Sequence, residues 1–199
     1  EKTENGWILN GRKHYISNGY DASLYIVYAN TRPGKGMNDG TSSFIVPRNA
    51  PGFKITRCNE TIGCRFMNNG ELEFVDCLIP QESLLCEDKA LPQAGIYFKP
   101  GKIIQAAKNL GVGQAALDST SDFVQTYSRG GRLLIKHQAV ASRLADMATR
   151  VAAVRTLVMH AAKAVDMKSP DADALCNMAK VYASEEILKV CQNAMELHG

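Results

Sequence analysis

A handful of residues in this chain are of types that do chemistry. Arg129 stands between Ser128 and the pair Gly130-Gly131, so a cation sits beside a flexible stretch. Just beyond, His137-Gln138 opens a helical pattern, and the Gln amide offers a donor and an acceptor in one group. Upstream, Phe98, Lys99 and Lys102 share the run Tyr97-Phe98-Lys99-Pro100-Gly101-Lys102; taken alone, the lysines read as solvated cations. Tyr15 and Ser17 in His14-Tyr15-Ile16-Ser17 alternate as on an ordinary strand. The carboxylates Asp146, Glu185 and Glu186 fall inside helical patterns and read as partners in surface salt bridges. Six cysteines, Cys58, Cys64, Cys77, Cys86, Cys176 and Cys191, form no C-x-x-C pair, and no His stands at zinc-finger spacing from them. They read as free thiols of a reducing compartment.

Composition narrows the class further. The chain has 199 residues, 45% hydrophobic and 22% charged, which suits one large or two small globular domains. A net charge of +3, without a basic cluster interleaved with aromatics, gives nucleic-acid binding no support. No apolar run approaches the ~20 residues that span a bilayer.

The elements that must position these groups change character near residue 95. Before it, short β-rich runs alternate with turn residues: Trp7-Ile8-Leu9, His14-Tyr15-Ile16, Leu24 to Ala29, Ser43 to Val46, Phe53 to Ile55 and Glu71 to Cys77. Asn10-Gly11 predicts a hairpin, because both residues tolerate positive φ, and Pro33 to Gly40 predicts a loop. The spacing points to a small barrel or sandwich. After residue 100 the period is helical. Ile103, Ile104, Ala107, Leu110, Gly111, Gln114 and Leu117 form one face. Val140, Leu144, Met147, Val151, Val154, Val158, Ala161 and Val165 make a stripe on a helix from about Lys136 to Met167. Ser169-Pro170-Asp171 stops that helix and lets Asp171 cap another, from about Ala172 to Leu197. The fold expected is therefore α+β and multi-domain: a small β-barrel domain over 1–94, then an antiparallel, incomplete four-helix bundle over 95–199.

Gly6-Trp7-Ile8-Leu9-Asn10-Gly11-Arg12-Lys13-His14-Tyr15-Ile16-Ser17-Asn18-Gly19 closely resembles the middle β domain of the acyl-CoA dehydrogenases. Ser43-Phe44-Ile45-Val46-Pro47, Pro51-Gly52-Phe53, Ile62-Gly63-Cys64-Arg65, Glu71-Leu72-Glu73-Phe74 and Ile79-Pro80 follow the same family in order. So do Leu110-Gly111, Ala116-Leu117-Asp118, His137-Gln138 and Glu196-Leu197-His198-Gly199 in the helical half. The resemblance implies an internal piece of a flavoprotein, holding most of the middle domain and three helices of the C-terminal bundle. It implies oxidation of acyl-CoA to trans-2-enoyl-CoA with FAD, electrons passing to an electron-transfer flavoprotein, and a homodimer or homotetramer in the bacterial cytoplasm or mitochondrial matrix.

Residue by residue, the resemblance places Tyr15, Ile16 and Ser17 beside the isoalloxazine, with the Ser17 hydroxyl toward N5. It places His137 and Gln138 against the adenine half of FAD in a neighbouring subunit. The family's R-x-x-F-G segment near the pyrophosphate is changed here to Tyr127-Ser128-Arg129-Gly130-Gly131, so Ser128 and Arg129 are expected to supply the lost contact. Glu196, where Gln is common, is expected to accept from a ribose hydroxyl, and Gly199 opens a Gly-Gly turn that approaches FAD. Phe98, Lys99 and Lys102 fall on the substrate end, near the acyl channel and CoA phosphates. The family's base lies at one of two positions. One is about two dozen residues beyond the Gly-Gly turn; the other is occupied here by Gly101, which cannot take a proton. The altered loop leaves an oxidase or flavin monooxygenase of the same fold, or a flavin-free scaffold relative, as alternatives.

Overall fold

The computed structural model describes all residues, 1–199. The chain forms two compact units, Glu1–Gly95 and Ile96–Gly199.

The first unit is built from two antiparallel sheets. One orders β1 (Lys2–Thr3), β2 (Gly6–Ser17), β6 (Asn69–Pro80) and β5 (Phe53–Asn59) as β1-β2-β6-β5; the other orders β3 (Leu24–Asn30), β4 (Thr41–Pro47) and β7 (Leu84–Cys86) as β3-β4-β7. No ladder closes the two into one barrel. Their inner faces share a core of Trp7, Leu9, Tyr25, Val27, Phe44, Val46, Phe53, Leu72, Phe74 and Ile79. Phe44 is fully buried, with the Trp7 ring edge-on at 5.3 Å, an arrangement that matches the quadrupoles of the two rings. The expected loop at Pro33 to Gly40 is a 3₁₀ turn, Pro33–Lys35, running into a short helix, α1 (Gly36–Gly40).

Asn10-Gly11 does not turn the chain. β2 runs unbroken through it, antiparallel to β6. The Asn10 side chain is used across the sheet instead: its Nδ2 donates to Asp76 Oδ1 at 3.1 Å, and its Oδ1 accepts from the Asp76 amide at 2.7 Å. The register shows what this contact holds. Between Leu9↔Cys77 and Gly11↔Phe74, β6 takes one more residue than β2; between Lys13↔Leu72 and Ile16↔Gly70, β2 takes one more than β6. Each extra residue is a bulge with a left-handed backbone, Asp76 at φ 46° and Tyr15 at φ 53°. The first bulge flips the buried set of β6 from Leu72 and Phe74 to Cys77 and Ile79. The second restores the register and turns the Tyr15 side chain outward, 67% exposed.

Three long helices follow, α2 (Ala90–Thr126), α3 (Gln138–Asp166) and α4 (Ala172–His198), and pack as the second unit from Ile96 of α2 onward. Between α2 and α3 lies a small hairpin, β8 (Ser128–Arg129) and β9 (Arg132–Leu133). α2 begins at Ala90 and continues through Pro100, so the helical pattern starts ten residues before the position read from its periodicity. Its packed face also differs from that reading. Ile103, Ala106, Leu110, Gly113, Leu117, Thr120 and Val124 face inward at a 3–4 spacing, whereas Ile104 is 60% exposed. Small residues hide this seam from a hydrophobicity reading: Gly113 lies so close to α4 that a Cβ there would stand 2.4 Å from Ile187 Cδ1. The stripe on α3 lies nearer the pattern, with Met147, Val151, Val154, Val158 and Ala161 buried. Asp171 occupies the N-cap of α4 but makes no side-chain cap; its carboxylate accepts from the Ser169 hydroxyl.

Truncating Phe44 to Ala removes a fully buried ring and should cost about 3–5 kcal/mol, whereas Leu24→Ala, at a 63% exposed strand position, should stay within about 0.5 kcal/mol. Urea unfolding of the two variants measures the difference.

Candidate functional site

On the first unit, the candidate residues cluster where β2 ends. The bulge lifts the Tyr15 ring onto the surface, Ile16 anchors the strand on the core, and Ser17 follows, exposed. An aromatic face and a hydroxyl are thus presented on either side of a residue that fixes the backbone. Strand alternation alone would have put Tyr15 and Ser17 on one face; the bulge gives the tyrosine a direction that alternation does not specify.

A groove of about 780 Å³ in the same unit is lined by Ile8 to Lys13 of β2, Val27 to Thr31 and Met37. None of the residues nominated from the sequence lines it. Its β2 wall lies within the Gly6–Gly19 run that carries the family resemblance, but the resemblance assigns no role to the residues that line it.

On the second unit, the β8–β9 hairpin turns on Gly130 (φ 61°) and Gly131 (φ 79°). Positive φ at both central residues is the backbone a two-residue hairpin turn requires, so the glycines serve a defined turn. Arg129 and Arg132 are paired across it. Arg132 is turned to His137, with Nη2 3.1 Å from Nδ1 and Nε 3.3 Å from Nε2, and Nε2 lies 3.2 Å from the Arg129 carbonyl oxygen. Neither arginine forms an ion pair within the chain. Ser128 is exposed beside them, and Gln138 is the first residue of α3. Tyr127 stacks on Phe123 at 5.0 Å, and Phe123 stacks on His198 at 4.3 Å. The tyrosine that replaces the expected Arg is therefore part of an aromatic stack joining the ends of α2 and α4.

The remaining candidates are more tied down than their sequence suggests. The Glu196 carboxylate pairs with Arg143 of α3, so it is not an isolated anion. Lys99 pairs with Asp173 at 2.9 Å, which leaves Lys102 as the less engaged of the two lysines; Phe98 is 55% exposed. Gly101 lies within α2 with open space around it, and Gly199 has φ 107°. Arg132, Arg143 and Asp173 were missed from the sequence. Each acts through a partner at least five residues away, and only the packing brings the pairs together.

Asp146 forms the surface pair expected of it, with Arg150 one turn on, and Glu185 is exposed without a pair; Glu186 is the one that departs from a simple surface pair. Glu186 is 8% exposed and accepts from both Arg150 and Lys189, while Arg150 Nε also donates to Asp146 at 2.6 Å. The hydrogen bond from Lys189, and then that from Arg150, hold the Glu186 carboxyl below its ordinary range, and Arg150 does the same to Asp146. Both are fixed anions within a charge network rather than proton acceptors. The Cys176 thiol is buried and pushed up chiefly by that burial, which keeps it protonated and inert.

Two antiparallel sheets followed by three long helices define an α+β protein with an exposed aromatic–hydroxyl pair on one unit and an acid-free basic hairpin on the other. Family models give this arrangement its place: the acyl-CoA dehydrogenase middle domain matches residues 1–77, and the acyl-CoA dehydrogenase C-terminal domain matches residues 93–199. The chain belongs to the acyl-CoA dehydrogenase family. It is 35% identical to an acyl-CoA dehydrogenase of Bacillus subtilis over 100% of this chain and 52% of that protein. It is 34% identical to the mitochondrial short-chain specific acyl-CoA dehydrogenase of Mus musculus over 97% of this chain and 47% of that protein. The solved butyryl-CoA dehydrogenase of Megasphaera elsdenii superposes with a TM-score of 0.91 at 32% identity, over 100% of this chain and 52% of that one. The chain thus spans about half the length of these relatives. No helix is long and apolar enough to cross a membrane.

The residues present fit a flavin dinucleotide. Arg129 carries an unpaired charge on a pre-formed turn, which suits a diphosphate. Arg143 neutralises Glu196, the one nominated residue whose charge would repel phosphate. Tyr15 offers an exposed aromatic face beside the Ser17 hydroxyl.

Replacing Glu186 by Ala leaves Arg150 with Asp146 alone and Lys189 half in solvent, and should destabilise the chain by about 1 kcal/mol, well below the cost of breaking a fully buried pair. Glu186 and Asp146 hold a proton less tightly folded than unfolded. Their contribution is complete above the ordinary carboxylate range and is lost as pH falls through their lowered values. Urea midpoints taken from neutral to acid pH should fall in the wild type and fall less in the Glu186→Ala variant.

Proposed function

We propose that the protein oxidises an acyl-CoA thioester to its trans-2-enoyl-CoA, with FAD as cofactor and an electron-transfer flavoprotein as electron acceptor. The observation that carries this reading is the in-order correspondence of the whole chain to a protein named acyl-CoA dehydrogenase at 35% identity. FAD, when bound, supplies the acceptor for the hydride that leaves the substrate β-carbon. Tyr15 packs against the flavin ring, and Ile16 holds the strand that presents it. Ser17 donates a hydrogen bond to the flavin. Ser128 and Arg129 hold the diphosphate, and Gln138 the adenine half. Lys102, with Phe98 beside it, meets the substrate's CoA portion; Lys99 is drawn toward Asp173 and contributes through that pair.

The α-proton needs a carboxylate acceptor. Gly101 offers none, and Glu186 and Asp146 are committed to Arg150; the family resemblance assigns the acceptor to a carboxylate about two dozen residues beyond the Gly-Gly turn. Assembly into a homodimer or homotetramer belongs to the same reading.

The test is anaerobic reduction. The protein, produced from its complete reading frame, should purify yellow, and a stoichiometric acyl-CoA should bleach its visible flavin band without oxygen. A colourless protein, or a flavin that keeps its colour with short-, medium- and branched-chain acyl-CoA alike, contradicts the proposal. Rapid turnover in air that forms hydrogen peroxide without a flavoprotein acceptor would replace the dehydrogenase with an oxidase.

A further inference from the structure

We propose that His137 is a positioning residue: its ring ties the Arg129 carbonyl to the Arg132 guanidinium and so holds the β8–β9 hairpin in the form that presents Arg129 to a diphosphate. This rests on the flavin reading above and changes the expected role of His137, from a group that touches the cofactor to one that shapes the element that does.

The hairpin needs an outside brace. Its ladder has two residue pairs, Ser128↔Leu133 and Arg129↔Arg132, and an isolated two-stranded ribbon is marginal even when longer. Its turn is two glycines, which lose the most conformational freedom on ordering. Two arginines also hold directly paired positions across the strands, and like charges so placed are destabilising unless one is drawn aside. One backbone bond outside the ladder helps, Leu134 N to Tyr127 O at 2.9 Å, but it lies at the base and does not deal with the charges.

His137 answers both needs. It lies at the N-cap of α3 and makes no side-chain cap there, so its ring is free for the hairpin. With the proton on Nε2, the ring donates to the Arg129 carbonyl at 3.2 Å and accepts at Nδ1 from Arg132 Nη2 at 3.1 Å. That tautomer satisfies the two shorter contacts, and the Arg132 Nε–H, 3.3 Å from Nε2, then makes no hydrogen bond to the ring. The Nδ1 contact draws the Arg132 guanidinium toward the ring and leaves Arg129 as the free cation. The other charged group beside the ring in sequence, Lys136, is a cation too, so no carboxylate competes for Arg129. α3 anchors the ring rigidly through its buried Met147, Val151 and Val154 stripe.

The experiment measures ADP affinity by calorimetry for the full chain and for Arg129→Ala, His137→Ala, the double variant and His137→Gln, with adenosine as the phosphate-free control. Arg129→Ala and His137→Ala should each weaken ADP binding roughly tenfold, and the double variant should lose little more than either alone, because a brace and the group it positions act as one unit. His137→Gln, which keeps a donor and an acceptor, should recover most of the affinity, and adenosine should bind all variants alike. Nitrogen-15 spectra of the neutral ring should show its proton on Nε2, with or without nucleotide. Additive losses, a loss of adenosine binding in His137→Ala, or a neutral ring protonated at Nδ1 would overturn the assignment. Failure of the wild-type chain to bind ADP sinks the flavin reading and the phosphate role with it, while the ring spectrum still decides whether His137 braces the hairpin.

Discussion

The register of β2 against β6 is the constraint on which the strand-rich unit depends. A strand buried on one face cannot slip by one residue without exposing its core set. Here β6 changes phase partway along, at Asp76, and β2 changes back at Tyr15. The Asn10 amide, bonded to both the side chain and the backbone of Asp76, pins the first change. Because the first bulge is fixed, the second must fall within the few residues before Ile16, whose side chain is held by the core. The outward aim of Tyr15 therefore follows from packing on the opposite side of the sheet.

Much of the fold was legible because its signals are local. The β-rich runs, the helical stripe on α3 and the stop at Ser169-Pro170 are each set by neighbouring residues, and the structure follows them to within a few positions. The errors share a cause. Asn10-Gly11 has the composition of a turn, but its amide is used by a strand 66 residues away. The inward face of α2 was displaced because Ala106, Gly113 and Thr120 pack by being small, which a count of large apolar residues cannot register. Glu186 looks like a surface acid until α3 brings Arg150 to it. In each case tertiary contact overrode a correct local tendency.

The candidate site was legible in its residue types and opaque in its electrostatics. The sequence nominates cations and anions singly, while the folded chain sorts them into pairs. Glu196 is matched by Arg143, Lys99 by Asp173, and Glu186 by Arg150 and Lys189. Arg129, like Lys102, has no carboxylate partner, and it lies on a turn shaped by two glycines. A cation kept free on an ordered element suits an anion brought by a ligand, since the ordering cost is met before binding.

The central claim is that the strand-rich unit presents a flavin-binding edge at Tyr15–Ser17. A crystal structure of the protein grown with FAD tests it most directly. The account predicts the isoalloxazine packed on the Tyr15 ring and within hydrogen-bonding distance of the Ser17 hydroxyl, with the β2 bulge unchanged. A flavin seated elsewhere, with Tyr15 and Ser17 still facing solvent, would contradict it.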